Sequence, residues 1–327
     1  MRVDVGELVD RARAGQHRAI ARLVSLVEDA HPQLREIAAA LTPHTGHARV
    51  VGLTGPPGVG KSTSTSALLT ALRKAGLRVG VLAIDPSSPF SGGALLGDRV
   101  RMGEHATDAG VFIRSMATRG HLGGLSWATP QAVRVLDAAG FDVVLIETVG
   151  VGQSEVDVVR LADTTVVLLA PGMGDGIQAA KAGVLEIADV FVVNKADRPG
   201  ADATVRELKQ MMAMARREIR GPSWRQPVVR TVASENDGVE DVVAALEQHH
   251  DWLRAYGELD RRRAARAAGE VEAIAMRQLR AELEELRDGD RLAQLARRVV
   301  DRELDPYAAA DAVIDDLRRS RSGGPQG

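Results

Sequence analysis

Apolar residues follow two different rhythms along this chain. Between residues 48 and 231, short and nearly continuous runs of Val, Ile and Leu recur: RVVGLTG (49–55), RVGVLAID (78–85), VFIRS (111–115), FDVVLIET (141–148), TTVVLLA (164–170), DVFVVNK (189–195) and QPVVRTVAS (226–234). Runs that stay apolar without alternating belong to strands covered on both faces, which is the condition of strands in a parallel sheet between helices. The stretches between them carry helical spacing. The pattern therefore predicts an α/β fold with a mostly parallel sheet flanked by helices. Ligands in such sheets sit beyond the carboxyl ends of the strands.

Outside that region the spacing is helical. Residues 4–41 place Leu8, Ile20, Leu23, Leu26, Leu34 and Ile37 at helical intervals, broken at His31-Pro32, and TPHTGH (42–47) reads as a linker. After residue 257, ELDRRRAARAAGEVEAIAMRQLRAELEELRDG begins a long run rich in Ala, Arg, Glu and Leu with no further strand signal. A helix of that kind cannot bury its apolar stripe alone, so it either packs back on the core or meets a second copy. A homodimer is the expectation, with SRSGGPQG (320–327) disordered. The organisation read from the sequence is a helical extension over 1–44, a nucleotide-binding domain over 45–257 and a helical arm over 258–327.

The chemistry is concentrated at strand ends. In GLTGPPGVGKST (52–63), Gly55, Gly60, Lys61 and Ser62 fit G-x-x-x-x-G-K-[ST] between a β-branched run and a helical one, the context this phosphate-binding loop requires. The stretch from Gly55 through Pro56, Pro57, Gly58, Val59 and Gly60 to Thr63 is expected to wrap phosphate oxygens at a helix N-terminus, whose dipole favours anions. Lys61 would reach the β/γ-phosphates, and the Ser62 hydroxyl would coordinate Mg²⁺.

FVVNKAD (191–197) identifies the base. The carboxylate of Asp197 can accept from both guanine N1–H and the exocyclic amine, which adenine cannot offer. The Lys195 stem would lie along the base, and Asn194 would tie this loop to the phosphate loop. Ala233, in TVASEND (231–237), is the expected N–H donor to the guanine oxygen. GTP and GDP are thus the expected nucleotides.

Glu147, which ends FDVVLIE, faces the metal position, and the Gly150 N–H is placed to sense the γ-phosphate. Asp85, at the end of VLAID, and Asp98, in GGALLGDRVRM, are further candidates for metal or water, although Asp98 is equally suited to capping a helix. Lys61, Asp85, Asp98 and Glu147 form the expected catalytic set. The expected metal set is Ser62, Asp85, Asp98 and Glu147. Small GTPases place a water-orienting Gln directly after D-x-x-G. Here Val151 stands in that place and Gln153 comes two residues later, so slow intrinsic hydrolysis is expected.

Composition narrows the partners. A net charge of −2 gives no electrostatic case for nucleic acid or an anionic membrane. The absence of cysteine excludes disulfides, thiolate metal sites and a Cys nucleophile. No run approaches the roughly 18 apolar residues of a membrane span. The N-terminus carries acids rather than a leader's apolar stretch. A soluble, cytoplasmic protein is expected. Only five of the 42 basic residues are lysine, and three of them (Lys61, Lys181, Lys195) fall in the expected loops.

Taken together, GLTGPPGVGKST, AIDPSSPFSGGALLGDRVRM, FIRSMATRGHLGGLS, IETVGVGQSEVDV and VVNKAD resemble the MeaB/ArgK family over about residues 45–240. These are G-protein chaperones of adenosylcobalamin-dependent methylmalonyl-CoA mutase, once described as arginine/ornithine transport kinases. The resemblance implies a GTPase that gates cofactor loading and protects an adenosylcobalamin-dependent mutase, and a homodimer made through the C-terminal helices. It also implies that PGMGDGIQAAKAG (171–183) relays the nucleotide state, with Lys181 either a contributor or a surface lysine. His121, in RGHLGG, is either a group acting on water or a structural or partner-contact residue. Two other functions compete. A transport-linked ATPase or kinase is disfavoured by N-K-A-D, and a nickel-type metallochaperone GTPase by the lack of Cys and the scarcity of His.

Overall fold

The structure is a computed structural model. It describes residues 2–85, 105, 107–117, 128–148, 158, 160–172, 187–215, 223–288 and 291–322. These form two compact units, residues 1–263 and 264–327.

All seven apolar runs form strands of the first unit: β1 (Arg49–Thr54), β2 (Val79–Asp85), β3 (Val111–Ala117), β4 (Val143–Glu147), β5 (Thr164–Leu169), β6 (Val190–Asn194) and β7 (Val228–Thr231). They make one sheet in the order β3-β2-β4-β1-β5-β6-β7, and every neighbouring pair is parallel. Parallel pairing brings the carboxyl ends of all the strands to one edge. In register, Leu53 of β1 lies beside Glu147 of β4.

The period-two geometry of a strand divides the core between the two faces. On one face Val50, Leu82, Ile84, Val144 and Ile146 pack with α1 (Val5–Arg13), α2 (His17–Glu28), α3 (Leu34–Leu41) and α5 (Thr129–Ala138). On the other, Val51, Leu53, Val81, Leu145, Val166 and Leu168 pack with α4 (Lys61–Lys74) and α7 (Val239–Ala255). Helix α6 (Ala201–Ala215) covers Phe191 and Val193 through Leu208. The N-terminal helices therefore share the sheet's own core. The TPHTGH stretch is likewise held in place: Thr42–His44 form a 3-10 turn, and Asp137 accepts from the N–H groups of Gly46, His47 and Ala48.

The amino ends of β5 and β6 carry a buried ion network that the hydrophobic pattern does not reveal. Asp189 accepts two bonds of 2.9 Å from Arg262, and Asp163 accepts from Arg263 at 3.1 Å. The same carboxylates accept from the backbone of the sheet, Asp163 from Val50 N and Asp189 from Thr165 N. His249, fully buried beside Trp224 and Trp252, bonds Thr164 Oγ1 at 2.8 Å. Burial pushes its pKa down to about 4.

Helix α8 (Glu258–Asp288) begins in the first unit and supplies part of the second, together with α9 (Arg291–Val300) and α10 (Pro306–Ser322). Leu283, Leu292 and Val313 line a cleft of about 310 Å³ in this second unit, with Arg280, Glu284, Arg291 and Asp316 at its sides. Leu295 is buried, whereas Val271, Val300 and Tyr307 are 67%, 79% and 84% exposed. Helix α10 runs to Ser322, three residues into the stretch expected to be disordered. The i,i+3 pairs Asp315–Arg318 and Asp316–Arg319 support its last turns. No helix among the described residues is long and apolar enough to cross a membrane.

Candidate functional site

The expected nucleotide residues converge where β1, β4, β6 and β7 end. β1 delivers the chain to Gly55, whose φ of +143° and close approach to β5 leave no room for a side chain: a Cβ there would lie 2.3 Å from Leu168 O. The loop closes at Gly60, φ +93°, which precedes α4 and packs so tightly that a Cβ would lie 2.5 Å from Asn194 Nδ2. Both positions are therefore restricted to glycine by conformation and by contact. Between them Val59 is buried and anchors the loop in the core.

Lys61 and Ser62 open α4, whose first turn has no acidic residue and no side-chain cap. Its leading N–H groups and the positive end of its dipole thus face the loop. Lys61 Nζ donates to Gly55 O at 2.8 Å and Pro56 O at 3.1 Å, so the ammonium bridges the loop it belongs to. Ser62 Oγ donates to Glu147 Oε1 at 2.6 Å. Glu147 is only 4% exposed. Thr148, the next residue, bonds Leu53 O through its N–H (3.1 Å) and Thr54 Oγ1 through its hydroxyl (3.1 Å), which fixes the end of β4 against the start of the phosphate loop.

Asn194 ends β6, is buried, and its side chain bonds the segments on either side. Its Nδ2 donates to Val59 O at 2.9 Å, while its Oδ1 accepts from Thr231 Oγ1 and Ala233 N, both at 3.1 Å. Two donors on one atom and an acceptor at the other fix which end of the amide is oxygen. Lys195 sits at φ +58°, uncommon for a side-chain-bearing residue, and its Nζ donates to Gly58 O at 2.6 Å. Asp197 follows in an exposed turn.

The Ala233 N–H, expected to point at a base oxygen, donates to Asn194, because the 3-10 turn Ala233–Glu235 starts directly over that side chain. Thr231, which the motif reading passed over, is a structural partner of Asn194. Its hydroxyl two residues before Ala233 is the signal that would have found it.

Asp85 is the last residue of β2, at the same sheet edge as Glu147. Asp98, His121, Gly150, Val151, Gln153 and Lys181 lie outside the described residues.

A sequence model described as methylmalonyl Co-A mutase-associated GTPase MeaB matches residues 20–288. The chain belongs to the MeaB family. A Pyrococcus abyssi protein named as a GTPase is 49% identical over 313 residues, covering 96% of this chain and 97% of that one. A Mycobacterium tuberculosis protein, also named as a GTPase, is 45% identical over 266 residues, 79% of each chain. Among solved structures, the crystal structure of an LAO/AO transport system kinase superposes with a TM-score of 0.70 at 28% identity, covering 97% of this chain and 99% of that one. This MeaB-family chain is a P-loop GTPase.

Proposed function

We propose that this GTPase hydrolyses GTP with Mg²⁺ as a homodimer. We propose further that it serves as the chaperone of an adenosylcobalamin-dependent acyl-CoA mutase, with methylmalonyl-CoA mutase the first choice. The observation that carries the mutase assignment is the family match over residues 20–288. The observation that carries the nucleotide assignment is the bond network joining Val59, Asn194, Thr231 and Ala233, which unites a phosphate loop and a base loop in one rigid edge.

Lys61 would leave its two carbonyl acceptors for the β/γ-phosphates, exchanging neutral partners for charged ones. The N–H groups of the loop and the first turn of α4 would hold the remaining phosphate oxygens. The Ser62 hydroxyl and the Glu147 carboxylate, 2.6 Å apart, form an oxygen-only donor pair that suits a hard cation. Mg²⁺ held there would supply charge neutralisation at the transferring phosphoryl group. Asp85 and Asp98 complete the proposed metal and water set, and the Gly150 N–H the proposed γ-phosphate contact. Asp197 would read guanine N1–H and the amine, with Lys195 along the base. Since the Ala233 N–H already serves Asn194, its contact to the base oxygen would be a shared one.

The uncovered apolar residues of the second unit, Val271, Val300 and Tyr307 among them, support a surface closed by a second copy. The test of the partner is co-purification and GTPase stimulation with methylmalonyl-CoA mutase, in the presence of GTP and then GDP. Stimulation and nucleotide-dependent binding are expected. Their absence with this mutase and with its adenosylcobalamin-dependent relatives would overturn the chaperone reading.

A further inference from the structure

Two buried hydroxyls meet on the side of the sheet that faces away from α4. Strand alternation sends Val51 and Leu53 of β1 and Leu145 of β4 to the face that α4 covers, and Val50, Val144 and Ile146 to the other. Glu147 continues the first set, and its carboxylate accordingly reaches Ser62 on α4 at 2.6 Å. Thr54, the last residue of β1, and Thr148, the residue after β4, continue the second set. Their hydroxyls lie 3.1 Å apart, Thr148 Oγ1 also lies 3.4 Å from Leu53 O, and both residues are 1% exposed. The Thr148 N–H donates to Leu53 O at 3.1 Å, which carries the β1–β4 ladder one residue past β4.

Packing alone does not ask for these hydroxyls. Valine has nearly the same shape, is favoured in strands and brings no polar atom that must be satisfied. Replacing both partners of a buried hydrogen bond by apolar groups of the same shape is close to neutral or stabilising. What the bond adds is direction, because a contact between two valines lets the strand ends slide. It ties the residue directly before Gly55, where the phosphate loop starts, to the residue directly after Glu147. We propose that Thr54 and Thr148 are positioning residues for the GTPase reaction: their bond fixes the end of β4 to the root of the phosphate loop and so holds the Glu147 carboxylate in register with Ser62 Oγ. The proposal rests on the reading of Ser62 and Glu147 as the residues that hold Mg²⁺.

The experiment uses the full chain with Thr54→Val, Thr148→Val and both together, with Thr54→Ser and Thr148→Ser to keep the hydroxyls, and with Glu147→Gln as the control on the underlying reading. The Mg²⁺ dependence of GDP binding is measured alongside GDP affinity without Mg²⁺, GTP turnover and Tm. The double valine variant is expected to unfold at or above the wild-type temperature. It should nevertheless need about tenfold more Mg²⁺ for half-maximal effect and lose a similar factor in kcat, with Mg²⁺-free GDP affinity within about twofold of wild type. Thr54→Val alone leaves the Thr148 hydroxyl its second acceptor, Leu53 O, so it keeps the test open if the double variant folds poorly, with a shift of about threefold expected. The serine variants are expected to lose some Tm, since each drops a buried methyl, and to keep the wild-type Mg²⁺ dependence. Serine variants as impaired as the valines would assign the effect to packing and overturn the proposal. Valine variants with wild-type Mg²⁺ dependence beside an impaired Glu147→Gln would overturn the proposal alone. A Glu147→Gln protein with unchanged Mg²⁺ dependence would overturn the reading beneath it.

Discussion

Asn194 Nδ2 donates to the Val59 carbonyl at 2.9 Å and so joins the last residue of β6 to the middle of the phosphate loop. The same side chain accepts from Thr231 and Ala233, so one buried amide holds three loops. Asn194→Ala removes all three bonds and leaves their partners buried. A loss of about 2–4 kcal/mol in stability is expected, together with parallel weakening of GTP and GDP. Asn194→Asp keeps the acceptor toward Thr231 and Ala233 but opposes the Val59 carbonyl with a second acceptor, so it too should weaken both nucleotides. Chemical denaturation and nucleotide titration check this. Wild-type affinity in Asn194→Ala would show that the loops hold their geometry without it.

Asp197 stands exposed after the strained Lys195, where a carboxylate can reach a base edge. Asp197→Asn turns one acceptor into a donor facing the guanine amine. Each lost bond to the carboxylate is worth about 1.5–3 kcal/mol, so GTP should weaken by roughly 10- to 100-fold. Xanthosine triphosphate, with a carbonyl in place of the amine, should become the preferred ligand. Competition among GTP, ATP and XTP measures it, and a mutant that still prefers GTP would remove Asp197 from base reading.

The arginine pair sets where the chain can be cut. Ending it at Gly257, the boundary that the sequence invites, removes Arg262 and Arg263 from Asp189 and Asp163. Leaving two carboxylates buried without their partners should destabilise the first unit by about 3–5 kcal/mol for each pair broken. A chain ending at Gly269 keeps both pairs and should be a stable monomer that binds GTP, whereas the full chain should be a dimer. Light scattering and thermal unfolding of the three proteins decide it. A monomeric full chain at micromolar concentration would end the dimer proposal.

His249 predicts an acid-side loss of stability. Its folded pKa is held near 4 by burial, below its ordinary value of 6.5. Between those values the unfolded chain binds a proton that the folded chain refuses, so stability falls as pH drops from about 7 toward 4. The full effect is about 3 kcal/mol, since each pKa unit corresponds to about 1.4 kcal/mol. Buried His250 shifts in the same direction, mainly through burial, and adds to it. In His249→Gln the slope of Tm against pH in this window should flatten relative to wild type. An unchanged slope would assign the acid sensitivity to other groups.

The sheet, the phosphate loop and the N-K-x-D turn were legible in the sequence because each depends on short-range order. Seven apolar runs became seven strands, and the central ones, β1, β4, β5 and β6, are buried on both faces and so must be apolar almost throughout. Gly55 and Gly60 announced a loop that only glycine can form, and N-K-x-D lies within four residues. What the sequence could not decide depends on residues brought together across long separations. Arg262 meets Asp189 across 73 residues, Ala233 N–H meets Asn194 across 39, and Ser62 meets Glu147 across 85. No periodicity encodes such pairings, because a carboxylate or an amide takes whichever partner the packed strands deliver. The sequence therefore determined which groups the strand ends carry, while the tertiary structure decided which of them are already bound to one another and which helix root is locked to the base of the sheet.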